Sequence, residues 1–351
     1  MRRLIGLFSI AACIFLHACG GGGANPAATG DVTLYITDDI SAYKQVTATV
    51  TKVQLVRTGA AGSICDLLGA PVSIDLSNLS SVVQVLNVVS CPAFHYNRVH
   101  LEFDKGVILT DQHNAGSTCS FDSYKDLQNL VNALQCDKDT GVCSMDITGA
   151  VNVFANGNNN FALDFDLKNF DVSGLSSSDC TATMKVSPMN DSDIADRRSS
   201  GYKDGISGNI SGLDTGARTF RIVKGLRTFT VNYSSALQQN VEQLLQFAAD
   251  NGLAVKIESS NFNRNSNTFV ASAVFVKTGG AISDLDTGRH TFALTYRTGG
   301  TISVDYTNAG VNNSVLGQLS DGIDVEVRLD GFTGTVYTAH EVKVGDTITE
   351  D

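Results

Sequence analysis

Arg98, His100, Glu102 and Asp104 stand two residues apart in the sequence. In an extended strand that spacing places all four side chains on one face. Two carboxylates beside an imidazole form a donor set for a divalent cation such as calcium, to which Asp38 could add another carboxylate. The competing reading of the same pattern is a solvated sheet face laced by cross-strand salt bridges, and the residues weigh toward it. His95 and His113 fall on other segments and add little. Asp137-Lys138-Asp139-Thr140-Gly141 opens like a calcium loop but lacks the third ligand and the distal Glu. Asp191-Ser192-Asp193 has the same shortfall, and both are expected to be solvated turns.

Asp-Thr-Gly occurs twice, at 214–216 and 286–288. The tripeptide resembles the catalytic loop of aspartic proteases, but the hydrophobic flanks of such a loop are missing. A hairpin turn is expected at each, with Asp accepting local backbone hydrogen bonds and Gly supplying positive φ. No G-x-S-x-G, H-E-x-x-H, phosphate-binding loop or haem-attachment motif is present. The expectation is therefore a protein with no catalytic residue and no cofactor, calcium being the one cation worth testing.

The elements that must position these residues begin after a leader. Arg2 and Arg3 precede an apolar run, Leu4 to Leu16, shorter than the roughly 20 residues of a spanning helix. Leu16-His17-Ala18-Cys19 is similar to the lipobox of bacterial lipoproteins, with His17 the departure from it. The resemblance implies cleavage before Cys19 and acylation of that residue. Gly20 rather than Asp after the cysteine implies the outer membrane. Gly20 to Gly23, then Ala24-Asn25-Pro26, forms a flexible tether. Several acyl chains would make attachment effectively permanent.

The net charge of −11 argues against nucleic acid or anionic lipid as a partner, both of which need a basic face. Of 8 cysteines, Cys13 leaves with the leader and Cys19 takes lipid. Cys65, Cys91, Cys119, Cys136, Cys143 and Cys180 remain, an even set in an exported chain, which reads as three disulfides. Cys136–Cys143 is favoured because a turn-like loop separates them; Cys65–Cys91 and Cys119–Cys180 follow by elimination.

Val32 to Thr37 alternates as a half-buried strand. Gln45 to Arg57 is a second strand whose apolar phase switches, which predicts a bulge near Thr51. Leu76, Leu79, Val82, Val83 and Leu86 recur at helical spacing and predict a short helix, and Asp122-Ser123 caps another over 127–134. Strands follow at 147–154 and 161–167, joined by a hairpin-type turn at Asn156-Gly157-Asn158. In the second of these strands Phe161, Leu163, Phe165 and Leu167 point inward, and Ala162 and Asp164 outward. Thr181 to Ser187 closes this part. Gly30 to Asp38, Val46 to Leu55 and Asn97 to Asp104 resemble strands of the domain-of-unknown-function family 4382. That resemblance covers roughly 30–187 and implies a lipoprotein β-sandwich with no activity to carry over. The cysteine-rich stretch 111–145 departs from the family pattern.

Residues 189–205 lack apolar periodicity and read as a linker. Beyond them Leu213-Asp214-Thr215-Gly216-Ala217-Arg218-Thr219-Phe220 returns as Leu285-Asp286-Thr287-Gly288-Arg289-His290-Thr291-Phe292. Each unit reads as strand, turn, two strands, a helical stretch and two strands. In the first unit Leu237 to Ala248 carries the helix; in the second, Val311 to Ser320 is shorter. Five strands with a helix between the third and fourth suggest a small OB-like barrel. The units resemble the domain-of-unknown-function family 5666.

The expected fold is mainly β: an N-terminal β-sandwich with short helices and disulfides, then two tandem small OB-like β-barrels. The division is signal peptide 1–18, tether 19–29, sandwich 30–188, linker 189–205, and barrels 206–278 and 279–351. The expected role is a non-enzymatic, lipid-anchored interaction or adhesion scaffold at the outer membrane. Its partners would be envelope protein or surface polysaccharide. The alternative is a calcium-assisted carbohydrate- or ligand-binding module.

Overall fold

A computed structural model describes residues 28–38, 45–59, 63–79, 82–110, 117–121, 135–136, 139–173, 181–224, 226–296, 299–310 and 318–344. The leader, Cys19, the stretch 122–134 expected to hold a second helix, and Cys180 lie outside the described residues, as do the side chains of Asp38, Cys119 and Cys136. The first eleven strands are β1 (Thr29–Asp38), β2 (Gln45–Val56), β3 (Ile64–Asp66), β4 (Val72–Asp75), β5 (Val82–Pro92), β6 (His95–Thr110), β7 (Ser117–Phe121), β8 (Gln135–Cys136), β9 (Val142–Asn152), β10 (Asn158–Ser173) and β11 (Thr181–Met189).

Alternation along β1 sends Val32, Leu34 and Ile36 into one core. In one sheet β1 lies between β5, antiparallel, and β10, parallel, with β11 beyond β10. In the facing sheet β2 pairs with β3, β4 and β6, and β6 pairs with β9. Phe103 from one sheet meets Phe165 from the other edge to face, with centroids 5.8 Å apart. Cys65 on β3 and Cys91 on β5 form a disulfide between the two sheets. The register of β2 slips between Ala48 and Val50 and again between Val50 and Lys52. The bulge sits where the apolar phase changes.

Several sequence expectations change here, and the cause is shared. The sheet of β5, β1 and β10 is covered on both faces. Tyr35, Val83, Val85 and Ala162 point away from the sandwich core into a second core. Strands buried on both faces become continuous apolar runs, which imitate helical spacing. The segment expected to be a helix is a 3-10 turn, Leu76–Leu79, followed by strand β5. Its β-branched Val residues suit a pleated, buried strand. Ala162 is inward for the same reason. Asn156 does take a left-handed φ of 54°, but it joins strands of different sheets and makes no hairpin.

The stretch expected to be a linker holds α1 (Asp191–Ser199). Asn190 caps it, accepting from Ser192 N at 2.8 Å and Asp193 N at 3.2 Å, while Asp193 Oδ2 accepts from Asn190 N at 2.8 Å. Only Ile194 of this helix is buried, so no apolar period marked it. Arg197 and Arg198 bind Asp164 and Asp204 at 2.7 Å each, anchoring the helix on both sides.

Next come β12 (Lys203–Asp214), β13 (Thr219–Lys224), β14 (Arg227–Asn232), α2 (Val241–Asp250), β15 (Ala254–Asn263) and β16 (Thr268–Asp286). Then follow β17 (Thr291–Tyr296), β18 (Thr301–Asp305), β19 (Asp324–Phe332) and β20 (Tyr337–Val344). Pairings run β12 to β13 to β14 to β16 to β15 and back to β12, which closes a ring of five strands. The second unit closes in the same order through β16, β17, β18, β20 and β19. Strand β16 belongs to both rings, so the boundary expected at 278/279 falls inside one strand. Gly212 and Asp284 both have left-handed φ beside matching register shifts, as do Arg218 and His290 at the turn ends.

No hinge separates the modules among the described residues. Strand β12 pairs in parallel with β5 of the sandwich, Lys203 opposite Val82. Helix α2 packs between the rings: the Phe247 ring lies tilted against Tyr337, with centroids 4.7 Å apart, and meets Tyr296 edge to face at 5.7 Å. No helix among the described residues is long and apolar enough to cross a membrane.

Candidate functional site

Strand β6 does carry Arg98, His100 and Glu102 on one face. Neighbouring strands add what the sequence pattern did not contain: Lys52 from β2 and Asp146 from β9. Glu102 Oε1 lies 2.6 Å from Lys52 Nζ and 3.0 Å from His100 Nε2. His100 Nδ1 lies 2.8 Å from Asp146 Oδ1, and Arg98 Nη1 donates to Asp146 Oδ2 at 3.1 Å. Burial pushes the Glu102 carboxyl upward, but hydrogen bonds from Lys52 and His100 and their charges outweigh it and hold it low. Glu102 and Asp146 thus each face a cationic side chain. Asp104, on the same face, is exposed opposite Val142 and apart from this network. Among the described residues no group of three or more His, Cys, Asp or Glu could hold a metal ion. His100 and Glu102 of this row are engaged in cross-strand ion pairing.

The Asp-Thr-Gly turns use their carboxylates internally. Asp214 Oδ1 accepts from Ala217 N at 2.9 Å, and Asp286 Oδ1 accepts from Gly288 N and Arg289 N at 3.0 Å. Asp193 is consumed in the α1 cap. Cys143 is disulfide-bonded, and Cys136 stands opposite it in the β8–β9 register.

A cleft of about 500 Å³ opens at one end of the sandwich, where β9, β10, β11 and the start of α1 converge. Phe154, Phe161 and Pro188 supply apolar lining. Asn152, Asn160, Asn190 and Asp191 supply the polar lining. Asp191 Oδ1 accepts from the Asn160 backbone N at 3.2 Å and from its amide side chain. Arg264, from the turn between β15 and β16, hydrogen-bonds Asn160 Oδ1, so the first ring helps to hold the cleft.

Residues 29–177 match the family described as Domain of unknown function (DUF4382). The match covers the sandwich up to β10 and includes β6 with its ion-pair row. No curated protein matches the chain.

The DUF4382 match takes in one side of the cleft, Gly149 to Phe161, while Pro188 to Ser192 lies beyond it. Of the cleft residues, sequence reasoning weighed only Asp191 and Ser192, as part of a calcium-loop-like stretch expected to be a solvated turn. The lining residues come from three separated segments, and their types are ordinary for turns. The usable signal was local: Asn190 three residues before Asp193 marks a helix start, and a helix start there would have placed Asp191 beside the end of β11.

Proposed function

We propose that the chain is a non-enzymatic protein of the bacterial cell envelope, anchored in the outer membrane through lipid on Cys19 and serving as an interaction or adhesion scaffold. The observation that carries this reading is the continuity of the body. The β5–β12 pairing and the shared β16 join a sandwich and two five-stranded rings with no flexible joint among the described residues. A continuous body on a glycine-rich tether is suited to presenting surface at a distance from a membrane. Glu102 is paired with Lys52 and His100, and Asp214 and Asp286 accept from their own turns, which favours binding over turnover. The net charge of −11 disfavours nucleic acid as the partner, leaving envelope protein or surface polysaccharide. We assign the two rings as OB-like modules related to the domain-of-unknown-function family 5666, on the repeated Asp-Thr-Gly motif and their shared strand order.

The test is metabolic labelling with radioactive palmitate in a diderm host, followed by membrane fractionation and assay against ester, glycoside and peptide substrates. Label in the outer-membrane fraction, lost in Cys19→Ala, with no turnover, is the expected result. A Cys19→Ala chain that keeps its label would overturn the anchoring. Turnover abolished by one side-chain substitution would overturn the scaffold role.

The second reading, a carbohydrate- or ligand-binding module, is favoured by the cleft beside Phe154. Its calcium-assisted form has no support from Glu102, which is engaged by Lys52 and His100.

A further inference from the structure

Phe154 is 65% exposed, yet the turn that carries it is closely fixed. Its N donates to Asn159 Oδ1 at 3.1 Å, and its O accepts from Gly157 N at 3.1 Å. Asn156 N donates to Thr29 O at 2.8 Å, and Asp31 N to Gly157 O at 2.9 Å. A side chain at Gly30 would collide with the Phe154 carbonyl oxygen, its Cβ falling only 2.0 Å away. A largely exposed phenyl ring on a fixed backbone gains little burial from its own fold, and its desolvation remains available to a ligand.

The polar groups around that ring are half used. Asn152 Oδ1 lies 2.6 Å from His95 Nδ1, and Asn190 Oδ1 is committed to the α1 cap. Asp191 Oδ1 is committed to Asn160. No described residue hydrogen-bonds Asn152 Nδ2, Asn190 Nδ2 or Asp191 Oδ2. Each of these three side chains is therefore oriented by one atom and offers the other. Together they present two amide donors and one carboxylate acceptor beside an aromatic face.

That combination specifies a ligand. An aromatic face accepts a surface of C–H groups, while amide donors and a carboxylate acceptor match hydroxyls, which both accept and donate. No Lys or Arg lines the cleft. Asp191 and Asp193 already occupy the first turn of α1, so its N-terminus holds no vacancy for an anion. A volume of about 500 Å³ lies within the range of small-ligand sites. We propose that this cleft binds an uncharged sugar residue of a glycan. Its ring stacks on Phe154 and its hydroxyls engage Asn152, Asn190 and Asp191. The assignment rests on the reading of the chain as an envelope binding scaffold and names a ligand class for it.

The experiment is calorimetric titration of the mature full chain with two probe sets. One is neutral oligosaccharides of glucose, galactose, mannose and N-acetylglucosamine; the other is oligogalacturonate as an anionic counterpart. Saturable binding of at least one neutral oligosaccharide is expected. Phe154→Ala should weaken it about tenfold, the loss of one well-packed aromatic contact. Asp191→Asn should weaken it as well. Because Phe154 is exposed, Phe154→Ala should melt at the wild-type temperature, which separates lost binding from lost folding. Three results would each overturn the proposal: no saturable binding of any neutral oligosaccharide at millimolar concentration, binding that Phe154→Ala leaves unchanged, or preference for oligogalacturonate. Palmitate labelling reads the anchored scaffold separately: a labelled chain that binds no sugar sinks the cleft alone, and an unlabelled chain that binds sugar sinks the anchoring alone.

Discussion

Lys277 and Asp75, 202 residues apart in the chain, are joined as an ion pair where the sandwich meets the shared strand of the two rings. Glu326 Oε2 approaches the same ammonium at 2.8 Å, so one cation serves a carboxylate from each side of the junction. Their side chains are 14%, 16% and 7% exposed. Burial works against the Lys277 charge, but the two carboxylates outweigh it and hold its pKa above the usual value. Lys277→Ala strands two carboxylates in a nearly dry interface and is expected to cost about 3–5 kcal/mol. The contrast is Lys52, whose side chain is 38% exposed in its pair with Glu102. Lys52→Ala should cost only about 0–1 kcal/mol. Urea unfolding of both variants checks the order; equal losses would mean the junction is wetter than its burial implies.

A second prediction concerns pH. Lys256 is only 5% exposed, and its pKa falls to about 7, through burial first and then the charges of Arg328 and Lys343, with Glu258 and Glu341 offsetting part of this. An unfolded lysine titrates near 10.4, so between about pH 7 and 10 the unfolded chain binds the extra proton. Stability must then rise with pH across that window, and the charging penalty is fully present below it. Lys224, lowered to about 8 by burial, acts in the same direction. Lys256→Met should raise stability at pH 7 and flatten, without abolishing, the slope between pH 7 and 10. Urea midpoints at several pH values measure this, and an unchanged slope would remove Lys256 as its source.

Much of the β framework was legible because period-two alternation survives wherever one sheet face is packed and the other is wet, as at Val32 to Ile36. The bulge in β2 showed as a phase change, and the repeat showed through a turn whose Asp accepts local backbone hydrogen bonds, although the positive φ expected of Gly216 and Gly288 falls instead on Arg218 and His290. What stayed hidden depends on contacts distant in sequence. Ala162 and Val83 are buried by a ring that begins beyond residue 200, so their inward faces left no local trace. Helix α1 buries only Ile194. The β6 row displayed Glu102 and His100 but not Lys52 or Asp146, because cross-strand partners follow from register, which sequence spacing does not encode.

The α1 cap gives a third prediction. Asn190 Oδ1 satisfies two backbone donors of the first turn, and the helix holds Arg197 against Asp164. Asn190→Ala should cost about 1 kcal/mol. Asn190→Asp keeps the acceptor and adds charge at a helix start, so it should be close to neutral in stability. Thermal melts of the two variants distinguish a capping role from mere packing. If Asn190 only fills space, both substitutions should behave alike.

The last prediction addresses the Cys65–Cys91 bond. It joins β3 of one sandwich sheet to β5 of the other, across 26 residues of chain, and both sulfurs sit within the buried core. Closing a loop of that size stabilises by roughly 3 kcal/mol, mainly by restricting the unfolded chain. Because β5 also pairs with β12, loosening β5 acts on the junction with the first ring as well as on the sandwich. The double variant Cys65→Ala/Cys91→Ala should therefore lose about 2–4 kcal/mol. It should also raise hydrogen exchange at Lys203 to Gly205, whose strand lies against Val82 to Gln84. Pulse-labelling mass spectrometry of that segment is the decisive readout. Increased exchange confined to the sandwich, with β12 as protected as in the wild type, would show that the ring holds its first strand without help from β5.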